Sequence, residues 1–170
     1  MRTNIVLSVL AALLISAVPS FVSAQASCAL AFQLTPSTTC NLYNDDLTTA
    51  TSSAPAPTCG GATAYGVWYK FTATSAKATI TVSGLGTNLT AATTYVQILS
   101  GSCPTPTNVA CQNVATPLAI TTLSVGTTYF VRVFITSAPG GPAVKNKFSI
   151  CIQSSLNDEC VSSISLSPGT

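Results

Sequence analysis

The chain has 170 residues, of which 47% are hydrophobic and 6% are charged, and it contains no histidine. Its formal net charge of +2 comes from few, scattered cations, which excludes the basic surface that nucleic-acid binding needs. Threonine and serine fill most polar positions, whereas helix surfaces are usually built from Glu, Lys, Gln and Arg, so we predict an almost entirely β protein.

The first segment, residues 1–24, is predicted to be a signal peptide. One positive charge in MRTN precedes the apolar run IVLSVLAALLISAV, and small residues before Gln25 mark a cleavage site, with cleavage after Ala26 as the alternative. The run is shorter than the ~20 residues of a transmembrane helix, and no later segment is apolar enough to span a membrane. Lipidation at Cys28 is a rival, but Gln25 stands where such a signal has leucine. We therefore expect a secreted, extracellular protein or one on a bacterial cell surface.

The mature chain consists of strand-length apolar runs separated by turn signals. In chain order the predicted strands are CALAFQL, with Leu30, Phe32 and Leu34 on one face, a short strand near 47–51, AYGVWYKFTA, ATITV, TTYVQIL, NVACQ, LAITTL, TTYFVRVFI and KFSICI. No stretch has a helical period long enough for a crossover helix. We predict an antiparallel two-sheet β-sandwich, jelly-roll-like and stapled by disulfides.

Seven cysteines in an exported chain indicate a disulfide framework. Cys160 falls in the C-terminal stretch 160–170, which repeats the start of the mature chain and leaves six cysteines for the main domain. Sequence alone does not fix how six cysteines pair. A zinc site would need closer pairs of Cys or His. The pairs that we favour are Cys103 with Cys111, which closes the loop CPTPTNVAC, Cys40 with Cys59, and Cys28 with Cys151.

The end of the chain repeats its start. The stretch CVSSISLSPGT at 160–170 shares Cys, Leu, Pro and Thr at the same spacing with CALAFQLTPST at 28–38. We therefore predict one complete module over residues 25–156 and the start of a second, truncated repeat over residues 157–170. If Thr170 is instead the natural terminus, the repeated stretch would serve assembly with a neighbouring chain.

Several stretches together resemble a known module. GVWYKFTATSAKATITVSG, YVQILSGSC, TTLSVGTTYFVRVF and KFSICI followed by NDEC are similar, in order and spacing, to a repeated β-sandwich module of secreted and cell-surface proteins of Bacteroidetes-type bacteria. That module is similar in layout to the bacterial prepeptidase C-terminal domain. The resemblance covers residues 28–152 and implies an extracellular repeat. This copy opens with QASC rather than NDEC, so any cation that those acids bind in later copies has no such site here.

The residues do not predict catalysis. Without histidine, a serine or cysteine nucleophile lacks its usual base, and the cysteines are assigned to disulfides. The module has two acidic residues, Asp45 and Asp46, which are adjacent rather than placed across a cleft as glycoside hydrolysis requires. SGLGTN joins two strands, whereas a phosphate cradle leads into a helix.

Binding is the remaining class of function, and aromatic residues are its candidates. The residues that alternate with the β-branched, core-facing set on two strands are Trp68, Lys70, Phe130, Arg132 and Phe134. Aromatic rings stack on sugars and cations bind hydroxyl or acidic groups, so one interpretation is an exposed carbohydrate-binding face. The favoured alternative buries these residues under the loop SSAPAPTCGG or against the next repeat.

A calcium site is a weaker hypothesis. Asn44, Asp45 and Asp46 supply side-chain oxygens, but Ca²⁺ takes about six to eight oxygen ligands, so such a site would be weak. We favour a turn at YNDDL, which has ordinary turn chemistry. No other cofactor is predicted.

Two functions remain open at this point. The first is a non-catalytic structural or adhesive repeat module of a larger secreted or cell-surface protein, in contact with neighbouring repeats or domains of the same polypeptide. The alternative is a carbohydrate-binding accessory module of a secreted enzyme, with an extracellular glycan as its partner. Further repeats downstream would favour the first function, and a catalytic domain would favour the second.

Overall fold

The computed structural model describes residues 25–154, in which ten strands and two short helical turns follow one another along the chain. The strands are β1 Phe32–Gln33, β2 Tyr43–Asp46, β3 Thr51–Ser52, β4 Tyr65–Thr72, β5 Ala78–Ser83, β6 Tyr95–Ser100, β7 Thr107–Asn113, β8 Leu118–Ile120, β9 Thr128–Ile135 and β10 Lys147–Gln153. A 3-10 turn spans Cys28–Leu30, and a single α-helical turn, α1, spans Ala143–Asn146. The predicted signal peptide and second repeat lie outside the described residues.

The strands form two sheets that pack face to face. The larger sheet has the order β1-β4-β9-β6-β7, with β3 also paired to β4, and the smaller sheet has the order β2-β10-β5-β8. Every strand pair is antiparallel except β1 with β4. The prediction of an antiparallel, jelly-roll-like two-sheet sandwich is therefore confirmed. In the described part of the chain, no helix is long and apolar enough to cross a membrane.

The main core fills the space between the sheets and follows the alternation of the strands. Val67, Tyr69 and Phe71 point inward from β4, and Ile80 and Val82 point inward from β5, all of them buried. Successive side chains of a strand point to opposite faces, so an apolar residue at every second position gives each strand one core face. The inward faces predicted for β4 and β5 are confirmed.

A second, smaller apolar cluster lies on the outer side of the larger sheet. The strand register places one row of side chains across four strands, namely Trp68, Arg132, Gln97 and Cys111. Trp68 packs there with Leu99 and Phe130 from the sheet and with Cys28 and Ala31 from the N-terminal segment. Both faces of the larger sheet are thus buried over much of their area.

The first strand is shorter than the sequence predicted. Leu30 belongs to the 3-10 turn and β1 contains only two residues, so the face predicted for Leu30, Phe32 and Leu34 does not exist. Leu34 is buried, whereas Leu30 and Phe32 are 45% and 41% exposed. The short strand predicted near 47–51 is mainly a turn, in which the Ala50 amide donates to the Leu47 carbonyl.

The six cysteines expected in the module all form disulfides, but the three favoured pairings are wrong. The bonds join Cys28 to Cys103, Cys40 to Cys151 and Cys59 to Cys111. Cys111 lies within β7 opposite Gln97, several residues from the turn that carries Cys103, so the hairpin geometry separates these two cysteines. The pairing that was easiest to propose from spacing fails because Cys111 belongs to a strand rather than to the loop.

The path of the chain after β1 explains why the predicted Cys40–Cys59 and Cys28–Cys151 pairings are wrong. Between Leu34 and Cys40 the backbone leaves the larger sheet, and Ser37 forms a bridge to Gln153 at the end of β10. Cys40 therefore reaches Cys151 in the smaller sheet, with 5.4 Å between their Cα atoms. Cys28 stays on the outer side of the larger sheet, so it cannot reach Cys151, and Cys59 is left to pair across that sheet with Cys111.

Candidate functional site

The structure does not form the exposed ligand face proposed for β4 and β9. Trp68, Arg132 and Phe134 are 0% exposed, Phe130 is 9% exposed, and only Lys70 is half-buried. We call the buried members of this set, together with Gln97 and Leu99, the covered face. A polysaccharide cannot stack on rings that solvent does not reach, so these residues are excluded as a binding platform in this conformation.

Two segments, which we call the cover, bury this face: residues 25–31 and 53–61. Ser53 accepts a hydrogen bond of 2.9 Å from the Trp68 indole N–H at its Oγ, and its carbonyl accepts another of 2.9 Å from the Arg132 guanidinium. The cover is held by two disulfides, which join Cys28 and Cys59 to cysteines at the far edge of the sheet. Trp68 and Arg132 therefore lie under the loop SSAPAPTCGG, as the favoured alternative predicted, whereas Phe130 packs with Cys28 and Ala31 of the N-terminal segment.

Arg132 is a buried cation held by rings and neutral oxygens. Its guanidinium donates to the Gln97 side-chain carbonyl at 2.5 Å and lies 4.9 Å from the Trp68 ring centroid and 5.2 Å from that of Phe134. Burial lowers the pKa of Arg132 to about 10, because the low-dielectric surroundings disfavour the charged form. Its Nε has no hydrogen-bond partner among the described residues. Arg132 thus joins the sheet to the cover instead of facing a ligand.

Glycines permit the close packing of the covered face. A Cβ on Gly66 would lie 2.6 Å from the Val133 carbonyl oxygen and 2.7 Å from the Phe134 Cβ. Gly60, with φ of +81°, presses against the Tyr95 ring, which a Cβ would approach to 2.8 Å. Side chains at either position would push β9 or the cover away, since such distances are shorter than van der Waals contact.

The accessible candidate site is a groove along the open side of the sandwich, where edge strand β1 of one sheet lies beside edge strand β2 of the other. We call it the edge groove. Its volume is about 1210 Å³. The residues that line it are Gln25, Leu30, Ala31, Phe32, Gln33, Tyr43, Asp45, Asp46, Thr48, Thr49, Val67, Lys70 and Ala143.

A stacked aromatic pair forms one part of the groove. The rings of Phe32 and Tyr43 lie 4.4 Å apart between centroids, at an angle of 24°. Tyr43 in turn contacts the edge of the core residue Tyr69 at 6.2 Å, and Tyr69 contacts Phe148 at 6.5 Å. A continuous series of rings therefore supports the exposed Phe32 from the core, which restricts its motion.

The two carboxylates of the groove are held by hydrogen bonds. Asp45 accepts from the Tyr69 hydroxyl at 2.7 Å and from the Asp46 backbone amide at 2.8 Å, and Asp46 accepts from the Thr48 amide at 2.7 Å. Burial, and then the charge of Asp45 and the hydrogen bond to it, raise the pKa of Tyr69. Partial burial and the charge of Asp45 also raise the pKa of Tyr43. Both tyrosines are therefore neutral throughout the physiological pH range, and Tyr69 donates its hydroxyl hydrogen to Asp45.

The same geometry gives Asp45 and Asp46 a structural role. Asp46 closes the turn after β2, in agreement with the turn favoured from the sequence, although Asn44, Asp45 and Asp46 themselves lie in β2. Asn44 accepts from the Ser149 hydroxyl on the neighbouring strand at 2.7 Å. Within residues 25–154, no three side chains of the His, Cys, Asp and Glu types cluster as metal ligands.

Sequence reasoning flagged the carboxylates but missed the groove. The sequence places Phe32 with Leu30 and Leu34 on one face of a longer strand, and it does not single out Tyr43. The only available signal was the charge pattern, since the two acidic residues between residues 25 and 154 are consecutive and the first lies two positions after Tyr43. Nothing in the sequence shows that β1 and β2 are edge strands of different sheets that meet at this side.

Fold and site together define, over residues 25–154, a disulfide-linked, all-β module with an open groove at its edge and a covered sheet face. Residues 24–150 match the family described as galactose-binding-domain-like and associated with the type IX secretion system of Bacteroidetes, and the chain belongs to this family. The match confirms the resemblance read from the strand motifs. No curated protein sequence matches the chain. Family membership and the disulfides indicate an extracellular or cell-surface protein, and domains of this kind are typically non-catalytic accessory modules.

Proposed function

We propose that residues 25–156 act as a non-catalytic structural or adhesive module in a larger secreted or cell-surface protein. The observation that carries this proposal is the position of the Cys40–Cys151 disulfide, which spans 111 residues. Tension along the polypeptide between Cys28 and Cys151 passes through residues 28–40 and then through this bond. The strands β2 to β9 lie outside that covalent path and are shielded from the tension.

Such a route suits a module that lies between other domains. A β-sandwich without such a disulfide lengthens greatly when its terminal strands are pulled out. Here the Cys40–Cys151 bond limits the extension to the short segment 28–40. The proposed partners are therefore the neighbouring repeats or domains of the same polypeptide, including a second copy beginning at residues 157–170. The signal peptide at residues 1–24 would deliver the protein to the envelope.

Single-molecule force spectroscopy tests this role on the mature chain placed between marker domains. The oxidised protein is expected to extend little between Cys28 and Cys151, whereas the reduced protein gains about 400 Å, from the 111 residues at ~3.6 Å each. The Cys40→Ala/Cys151→Ala variant is the matched control. Its shortest route runs through the Cys28–Cys103 bond and residues 103–151, so its gain is intermediate, about 130 Å. Equal extension of the oxidised and reduced proteins would contradict the proposal.

The proposal that the module is non-catalytic rests on the side chains that could act as a catalytic base or acid. The chain has no histidine, and the acidic pair of the edge groove holds Tyr69 and the turn after β2. Incubation of the purified chain with panels of polysaccharides, esters and peptides is expected to release no product. Turnover that persists in highly purified protein would overturn this assignment.

A second candidate function is carbohydrate binding, as an accessory module of a secreted enzyme. The observation that favours it is the exposed Phe32 ring stacked on Tyr43 within an open groove. Aromatic side chains placed in a cleft beside a few polar groups are typical of ligand sites. Retention of the chain on immobilised polysaccharides, compared with retention of the heat-denatured chain, tests this candidate. Equal retention of folded and denatured protein would exclude it.

A further inference from the structure

We propose that the edge groove binds a neutral oligosaccharide, with one sugar ring stacked on Phe32 and with Asp46 and Lys70 bonding its hydroxyl groups. This inference rests on the carbohydrate-binding candidate and specifies the site and the ligand class. It differs from the face first considered on β4 and β9, because that face is covered.

The aromatic pair offers a stacking surface for a sugar ring. Phe32 is 41% exposed, and one face of its ring is occupied by Tyr43 at 4.4 Å. Tyr43 rests on Tyr69, which is fully buried. A ring supported in this way loses little freedom when a ligand stacks on it, and the apolar face of a sugar ring is a suitable partner.

The polar side chains of the groove have hydrogen-bonding capacity left for a ligand. A carboxylate has about four acceptor positions, and the bonds to the Tyr69 hydroxyl and the backbone amides of Asp46 and Thr48 leave several of them unused. These bonds also orient the carboxylates before a ligand arrives. Lys70, half-buried at the groove, offers ammonium donors. Hydroxyl groups donate and accept, so a sugar can use both kinds of partner.

The charge of the groove favours some sugars over others. Between residues 25 and 154 the chain has two acidic residues, Asp45 and Asp46, and both line the groove. Lys70 is the one cation among the lining residues, while the other four cations of this stretch are Lys77, Arg132, Lys145 and Lys147. Carboxylates repel uronic acids and sulfated sugars, so the groove favours uncharged rings although the whole protein is basic.

The groove is large enough for several sugar units. The groove, at about 1210 Å³, exceeds the range of about 300–1,000 Å³ that is usual for small-molecule pockets. It runs between two edge strands instead of closing over its contents. A short stretch of polysaccharide fits this shape better than a single sugar does.

The experiment measures binding of gluco-, galacto-, manno- and xylo-oligosaccharides of four to six sugars to the mature, oxidised chain by titration calorimetry. Phe32→Ala is expected to weaken binding at least about tenfold, as loss of a stacking partner does. Phe32→Leu keeps apolar bulk without the ring and is expected to weaken binding nearly as much. Asp46→Asn is expected to weaken it severalfold. Val125→Ala, at a residue 59% exposed and absent from the groove lining, is the matched control and should bind as the wild type does.

Dextran sulfate at low and high salt separates groove binding from general attraction to a basic protein. Binding of a neutral oligosaccharide that resists salt and is lost in Phe32→Ala supports the inference. Neutral binding unchanged in Phe32→Ala and Asp46→Asn overturns the site but leaves carbohydrate binding in place elsewhere. Binding of dextran sulfate alone, weakened by salt, overturns the ligand class. Absence of binding to every probe overturns both the inference and the carbohydrate-binding candidate, whereas the structural role stands or falls by the force measurement.

Discussion

The covered face and the edge groove are two aromatic sites that share one strand, β4, and they have opposite relations to solvent. The covered face presents Trp68, Arg132 and Phe134, a set that looks like a sugar-binding platform, yet it is closed by the cover. The groove presents Phe32 on a weak two-residue strand, yet its ring is open to solvent. Residue type therefore does not identify a binding site here, because the path of the loops decides which rings a ligand can reach.

The largest expected effect is on the covered face, through Trp68→Ala. We expect the free energy of unfolding to fall by about 3–5 kcal/mol, because the indole is 0% exposed and the variant loses its packing and its bond to Ser53. Urea denaturation of the oxidised protein measures this loss. Val125→Ala is the control, and a loss for Trp68→Ala as small as that of the control would show that the cover does not close in solution.

The next largest effect is expected from removing the Cys59–Cys111 disulfide, which holds the cover on the sheet. Removing the Cys59–Cys111 bond with two Cys→Ala substitutions is expected to cost about 2–4 kcal/mol and to loosen the cover. Trp68 is the only tryptophan, so its fluorescence reports this directly as a red shift and stronger acrylamide quenching.

The Cys40→Ala/Cys151→Ala variant is the matched control for that measurement. It also loses one disulfide, but this bond lies between the segment after β1 and the last strand, away from the cover. Its stability should fall while the native-state fluorescence of Trp68 stays unchanged. Equal spectral shifts in the two variants would mean that the disulfides act on the whole fold and not on separate regions.

The sequence predicted the class of fold because strand alternation is a local property. Val67, Tyr69 and Phe71 at every second position are enough to identify a core face on β4. The alternation also placed Trp68 on the opposite face correctly, and it left two outcomes for that face, exposure or burial. The choice between them depends on residues 53–61, whose course is set by contacts distant in sequence.

Neither the disulfide pairing nor the groove could be predicted from local sequence patterns, because both depend on contacts between residues that are distant in sequence. Cys40 meets Cys151 only because the backbone changes sheets after Leu34, and no spacing rule encodes that crossing. Likewise, Phe32 and Tyr43 meet because two edge strands from different sheets lie side by side. A short strand such as β1 also lacks the length that makes alternation informative.

Alkaline pH is expected to lower the stability of the fold through Tyr69 and to raise it through Arg132. The pKa of Tyr69 is raised above 10.0 in the folded protein, so the unfolded chain loses this proton first, and stability present below pH 10 is lost above it. The pKa of Arg132 falls from 12.5 to about 10 on folding, so the folded protein loses this proton first and gains stability between about pH 10 and 12.5. Each slope is at most about 1.4 kcal/mol per pH unit.

Thermal melting between pH 8 and 11.5 checks this pair of signs. Tyr69→Phe should flatten the decline of the melting temperature above pH 10, and Arg132→Met should steepen it. Parallel pH profiles for the wild type and both variants would show that neither group is linked to folding in this range.

The smallest effect on stability is expected from a substitution in the edge groove. Phe32→Ala is expected to lower the free energy of unfolding by about 1 kcal/mol or less, because the ring is 41% exposed and loses little more than its contact with Tyr43. Single exposed apolar side chains are common on protein surfaces, so the stability and the oligosaccharide binding of this variant have to be measured together to assign the ring. A loss as large as that of Trp68→Ala would make Phe32 part of the core, and the groove would then lack a stacking surface. A small loss in stability together with lost oligosaccharide binding would assign Phe32 to recognition and Trp68 to the fold.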